Sequence, residues 1–426
     1  MERQDINTAE DSQILKLLNK DLLNRNKNLY ALINFINGID GQMILNIDGA
    51  WGTGKSVFLR QLEYVSSTKD FIESQSSVYK TIVEEFKENY FVLYFNSWEH
   101  DLYNNPMESL ISELLMKIAS EIDLETEMGT VKDEMRGRLK KAGGKFLNRV
   151  INKITADLID LEDFRELKED NTPEITSIRS QKEAVNSLLQ ELSSITKKRI
   201  LIIIDELDRC KPSYAVELLE IVKHFFTHDD VIFLFGTNKS ELEHTIKSLY
   251  GQGFNGYKYL NRFFDFEFNL PRVDNEKYAE SKHIKNQGEV VQGIITNCSK
   301  YFNFTMRDID RFYSLFNTIQ KDISYNENEN QLFFYRIVMV YVTSLKIHNG
   351  VDFNNFIIGK GEEDFISFCK SIMGSIEDIY RSTSEESEII NKIKDIYSSL
   401  NNTEANYDTD VIVFKHKIEL LTMLNN

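Results

Sequence analysis

The chain has 426 residues, 42% apolar and 12% aromatic, which excludes a disordered polymer and suits two or three domains with a sizeable core. Its 67 Asp and Glu against 50 Lys and Arg leave a net charge of -17, which excludes a protein that coats nucleic acid with its whole surface and confines any such contact to a local patch. Three scattered cysteines (Cys210, Cys298, Cys369) without a CxxC pair exclude a disulfide scaffold and fit a reducing compartment, so the expected location is the cytoplasm.

In chain order, residues 11 to 37 read as one amphipathic helix, with Ile14, Leu15, Leu18, Leu22 and Leu23 followed by Leu29, Leu32 and Ile33. No secretory apolar stretch precedes it. A strand from Met43 to Ile47 then runs through Asp48 into a glycine loop, and a helix follows through Val57, Phe58, Leu59 and Leu62. Next come a strand Phe91 to Phe95, a helix from about Met107 to Ile122, a polar stretch to about Ser180 and a helix around Ala184 to Leu192. The alternation resumes with strand Ile200 to Ile204, helix Ala215 to Phe226, strand Val231 to Phe235, helix Leu242 to Tyr250 and strand Phe264 to Phe268. Short continuous apolar strands alternating with amphipathic helices predict an α/β domain, a parallel sheet covered by helices on both faces.

After Pro271 the strand signals stop. Helical periodicity recurs at Ile309 to Phe316, Phe333 to Leu345, Phe365 to Met373 and Ile389 to Leu400, the last preceded by Thr383 and Glu386 as a capping box. The expected organisation is an α/β domain over residues 1–272, carrying a basic helical insertion at about 123–180, and an all-helical domain over 273–426 that acts as a lid or a partner platform. No apolar run approaches the ~20 residues of a transmembrane helix.

The octapeptide Gly49-Ala50-Trp51-Gly52-Thr53-Gly54-Lys55-Ser56 matches the phosphate-loop pattern in full and lies between a predicted strand and a predicted helix. Its glycines let backbone amides curl around a phosphate, and the helix that opens through Val57 adds its positive end. Lys55 is the expected partner of the β- and γ-phosphates, and the Ser56 hydroxyl the expected ligand of Mg²⁺. The magnesium shell needs a carboxylate at a second strand tip. Ile200 to Ile204 delivers Asp205 there, and Glu206 follows as a general base or as a cap of the next helix.

Together, the loop with Trp51 inside it, Asn96-Ser97-Trp98 after the second strand, Asp205-Glu206-Leu207-Asp208-Arg209-Cys210-Lys211-Pro212, and Tyr259-Leu260-Asn261-Arg262 resemble the KAP family of P-loop NTPases over about residues 20 to 272. The resemblance implies a fold of the additional-strand class related to STAND and AAA+ ATPases, with one strand between those of the two phosphate-binding motifs. It also implies an ATPase, and for bacterial members an association with exclusion of phages and plasmids. This chain departs from many members in having no apolar insertion between the second and third strands, and in carrying Glu at 206 where Asp is frequent.

Asn238, after the fourth strand, is a candidate for reading the γ-phosphate or orienting water, or else a helix cap. Asn238-Lys239-Ser240-Glu241 differs from a guanine-reading motif at its last position, and Asp205-Glu206-Leu207-Asp208 is not Asp-x-x-Gly, so ATP is the expected nucleotide. Arg262 resembles the arginine finger of AAA+ relatives, which acts on a neighbouring subunit's nucleotide; the alternative is a local pair with Asp265. Trp51 and Trp98, the only tryptophans, receive no chemical role. Lys132 to Lys153 reverses the local sign of charge and, with Phe146, Leu147, Val150, Ile151 and Ile154 at helical spacing, fits a membrane surface, nucleic acid, a partner or simply its own domain. The expected function is an ATP- and Mg²⁺-dependent switch or assembly factor, forming a homo-oligomer or engaging a protein encoded nearby. An AAA+-like ATPase acting on DNA and a nucleotide-binding scaffold without turnover are the alternatives.

Overall fold

The computed structural model describes residues 11–68, 77–102, 105–125, 178–271, 273–282, 289–319, 329–373, 386–401 and 409–423. The basic segment Lys132 to Lys153, most of the expected insertion and Thr383 of the capping box lie outside them. The chain divides into two units, Met1–Pro271 and Arg272–Asn426.

In the first unit five apolar runs become strands: β1 (Met43–Asp48), β2 (Tyr90–Asn96), β3 (Arg199–Asp205), β4 (Val231–Thr237) and β5 (Phe266–Asn269). All pair in parallel, in the order β2-β3-β4-β1-β5, so β4 separates the strand of the glycine loop from the strand that ends at Asp205. Successive strand residues point to opposite faces, and both faces are covered. Ile200, Ile202 and Ile204 pack with α6 (Pro106–Glu125), α7 (Ile178–Thr196) and α8 (Pro212–Phe225), whereas Leu201 and Ile203 pack with α1 (Asp11–Lys20), α2 (Asn26–Asn37), α3 (Lys55–Ser67) and α4 (Ser77–Asn89). That two-sided burial explains why β3 and β4 are apolar runs without alternation.

Register brings the carboxyl ends of the strands level: Asn96 stands beside Asp205, Asp205 beside Gly236, and Asp48 beside Thr237 and Asn269. Ligands in open parallel sheets bind at this edge. Short elements complete it: α5 (Ser97–His100), a 3₁₀ turn (Leu207–Arg209), α9 (Lys239–Tyr250) and α10 (Gly256–Leu260).

Three local expectations are corrected. The helix expected over 11 to 37 is two, because Asp21 and Asn24 take left-handed backbone, and the Asp21 carboxylate accepts from Arg25 N and Asn26 N to start α2 afresh. The last strand begins two residues later than expected: Phe263 and Phe264 are buried in the core, and Asp265 gives its carboxylate to Ile44 N. Helix α4, whose buried Val83 and Phe86 cover the α2 side of the sheet, was not anticipated.

The second unit is helical throughout its described residues: α11 (Asn275–Glu280), α12 (Glu289–Tyr301), α13 (Met306–Ile319), α14 (Glu329–His348), α15 (Gly350–Ile357), α16 (Glu362–Ser371), α17 (Glu386–Asn401) and α18 (Thr409–Met423). Its core is strongly aromatic, with Phe304, Phe312, Phe316, Phe353 and Phe356 fully buried.

Candidate nucleotide site at the strand tips

Residues 49 to 54 form a tight loop between β1 and α3. Gly52 (φ 78°) and Gly54 (φ 85°) take left-handed backbone, where a side chain is strained, and Gly54 leads directly into the helical Lys55. This alternation turns successive amides toward one concavity, the geometry of an anion nest at a helix start. The Thr53 hydroxyl donates to Ala50 O at 2.7 Å. Lys55 is buried and donates from Nζ to Gly49 O and, at 3.2 Å, to Ala50 O. Burial pulls its pKa down, against the attraction of Asp208, Asp205, Asp48 and Glu206. Among the described residues its hydrogen bonds go to loop carbonyls and not to a carboxylate. Ala50 and Trp51 are exposed on the loop, and Val57 follows Ser56 in the first turn of α3.

Two carboxylates close the other side. Asp205, 1% exposed, accepts from Tyr94 OH at 2.7 Å and from Glu206 N at 2.8 Å. The Ser56 hydroxyl donates to Glu206 Oε1 at 3.1 Å. Burial raises the pKa of Asp205 against these hydrogen bonds, and Glu206 is raised by burial and then by Asp205. Glu206 itself sits at φ 62°, a costly conformation for a residue with a Cβ, and strain of this kind gathers at functional sites. Its Oε2 lies against Arg209 Nε as an ion pair but accepts no aligned hydrogen bond among the described residues.

These donors fit a magnesium ion. Mg²⁺ takes one or two protein oxygens and keeps the rest of its shell for water and phosphate, and here one hydroxyl adjoins one buried carboxylate with a second acid next to it. Burial raises the pKa of both acids, and in Glu206 the neighbouring Asp205 adds to the rise against Arg209. Among the described residues no cluster of three or more His, Cys, Asp or Glu makes an all-protein metal cage.

Both tryptophans flank this centre. Trp51 Nε1 donates to Asp208 Oδ2, and the Arg209 guanidinium lies 5.6 Å from the centre of the Trp98 ring. They are 43% and 50% exposed, so neither is a core residue. Asn96 accepts from Trp98 N at 3.2 Å and donates to Glu99 at 2.6 Å, which caps α5 at the tip of β2, where Asn96 stands beside Asp205. Three of the four sequence motifs thus meet through side chains around the 3₁₀ turn, and the segment Tyr259 to Arg262 does not.

A family model for the KAP family P-loop domain matches residues 25–323, well over half of the chain. The protein belongs to the KAP family. Its P-loop domain is a nucleotide-binding domain, and the match runs past Pro271 into the helices of the second unit. No curated protein matches the sequence. Among the described residues of this KAP protein, no helix is long and apolar enough to cross a membrane.

The remaining candidates fall into place unequally. Asn238, at the tip of β4, caps α9 by accepting from Glu241 N at 3.5 Å. Lys239 turns away from the loop, to Asn261 at 2.7 Å and to Glu267. Arg262 is not brought to the site. It is exposed, three residues before Asp265, which pairs with Ile44 at the entry of β1, the end of the strand opposite the glycine loop. Asp265 is shared between Ile44 N and Lys223, so the local Arg262–Asp265 pair is not formed.

Sequence reasoning missed Tyr94 as a partner of Asp205 and quoted Asp208 only as part of a motif. Tyr94 carried a signal: it stands two residues before Asn96 on a strand, hence on the same face, beside the neighbouring strand's Ile203 and Asp205.

Proposed function

We propose that the protein binds and hydrolyses ATP with Mg²⁺ and uses the cycle as a switch for assembly. The observation that carries this reading is the meeting of Ser56 Oγ with Glu206 Oε1 at 3.1 Å, beside Asp205 and across from buried Lys55. The loop amides from Gly49 to Ser56 and the Lys55 ammonium bind the β- and γ-phosphates. Ser56 and Asp205 hold Mg²⁺, whose chemistry is to neutralise charge on the phosphate oxygens. Tyr94 and the Glu206 amide orient Asp205 for that task. Glu206 takes the proton of the attacking water, a role that its raised pKa serves. Asn238 uses its side-chain oxygen to cap α9, and its Nδ2 orients the water. Arg262 stands too far from its own loop to act there and serves the nucleotide of a neighbouring copy, so turnover depends on assembly.

A cytoplasmic setting is supported by three buried free cysteines. Resemblance to KAP proteins associated with exclusion of phages and plasmids supports a role in bacterial defence, with a second copy or a protein encoded nearby as partner. Phosphate release is measured for wild type, Lys55→Ala and Glu206→Gln, with and without DNA, together with size in solution in ATP. Glu206→Gln traps an ATP-bound assembly and Lys55→Ala prevents one. An assembly size unchanged across the three proteins contradicts the switch; release stimulated by DNA points to a DNA-acting ATPase, and tight ATP binding without release to a scaffold.

A further inference from the structure

Arg25 stands at the start of α2 and is 5% exposed. In an acidic protein a buried guanidinium is expected to pair with a carboxylate, yet among the described residues none pairs with this one. Its donors go to backbone instead. Nη1 donates to Thr53 O at 2.7 Å and Nη2 donates to Pro271 O, while Nε is buried with no hydrogen-bond partner among the described residues. Burial lowers its pKa to about 10, so it stays charged at neutral pH. The corner that presents it is rigidly built: Asp21 accepts from Arg25 N at 2.8 Å, and Asn26 Nδ2 donates to Leu18 O at 2.7 Å.

The carbonyl it grips matters. Thr53 C=O and Gly54 N–H belong to one planar trans peptide, so they point in opposite directions. A guanidinium that holds the oxygen from behind aims the amide forward, into the concavity of the loop. Gly52 and Gly54 flank Thr53 without side chains of their own; the Thr53 hydroxyl ties that residue to Ala50 O, and the bond from Arg25 to Thr53 O adds a restraint on the peptide plane itself. The second anchor, Pro271, follows Leu270, whose amide donates to Asp48 O at 2.9 Å beside the loop.

We propose that Arg25 is a positioning residue for the nucleotide: it braces the Thr53–Gly54 peptide against Pro271 and places uncompensated positive charge behind the phosphate loop. This rests on reading the loop as the nucleotide site, and the experiment separates the two. ATP and inorganic pyrophosphate are titrated by calorimetry into the full chain as wild type, Lys55→Ala, Arg25→Lys and Arg25→Met. Binding by wild type that is lost in Lys55→Ala supports the loop reading; a wild type that binds neither ligand overturns both ideas.

A lysine keeps the charge but not the fork that spans two carbonyls. Arg25→Lys therefore weakens both ligands by about tenfold, the loss of one charge-assisted hydrogen bond, and Arg25→Met weakens them further. The effect is equal for ATP and pyrophosphate because it acts at the phosphates, and it persists at temperatures where the ligand-free variant is fully folded. A folded Arg25→Lys that binds both ligands as wild type does overturns the proposal while leaving the loop reading intact. Should both variants unfold, hydrogen exchange on wild type decides. Slowing by ATP of amides 21–29 together with 49–56 supports the brace, and slowing confined to 49–56 overturns it.

Discussion

Gly236→Ala tests whether the strand tips are packed as tightly as the chemistry requires. Gly236 lies on β4 beside Asp205, with Leu59 of α3 above it. A Cβ at this position overlaps Leu59 Cδ1 and stands 3.0 Å from Asp205 Oδ1. Leu59 is fully buried, so its side chain has no free volume to swing into, and α3 or the carboxylate must shift. Overpacking of this kind costs about 1–3 kcal/mol. Both tryptophans belong to the first unit, so their fluorescence in urea follows the unfolding of that unit alone. With a slope of roughly 2 kcal/mol/M, the midpoint falls by about 0.5–1.5 M. Turnover and ATP affinity both fall, because the displaced groups are α3, whose first turn carries Lys55 and Ser56, and the carboxylate of Asp205. An unchanged midpoint with wild-type turnover would refute the packing argument.

Two further outcomes follow from the same contacts. Tyr94→Phe removes the 2.7 Å hydrogen bond to Asp205, which leaves that carboxylate less well oriented, so the Mg²⁺ concentration for half-maximal phosphate release rises several-fold; no change in the Mg²⁺ titration counts against Asp205 as a ligand. Because Trp51 and Trp98 both flank the centre, ATP alters intrinsic fluorescence, and Trp51→Phe removes much of that signal while Trp98 retains the remainder; a signal equally strong in Trp51→Phe contradicts the placement of the loop tryptophan.

Much of this centre was legible in the sequence because its chemistry is local. Eight consecutive residues specify the phosphate loop, and the run Ile200 to Ile204 announces a strand buried on both faces that must end at Asp205. That one strand separates β1 from β3 came from family resemblance, since no local pattern encodes strand order, and the structure shows that strand to be β4. Hidden features depend on distant partners. Arg25 reads as one polar residue within a helical period, and its function appears only when Thr53 and Pro271, 28 and 246 residues away, supply the carbonyls. The break before α2 depends on Asp21 turning its carboxylate onto two amides, a competition between side chain and backbone that apolar periodicity does not register. Trp51 and Trp98 resisted assignment for the same reason: their partners Asp208 and Arg209 lie on a turn more than 100 residues further along the chain.

Titration of the full chain with ATP by calorimetry, with Mg²⁺ and with EDTA, for wild type beside Asp205→Asn, addresses the joint grip on phosphate and cation most directly. The account predicts a single saturable site in wild type whose affinity gains strongly from Mg²⁺, and a variant that still binds ATP but loses that gain. Equal enhancement by Mg²⁺ in both proteins, or no binding by wild type, would contradict it.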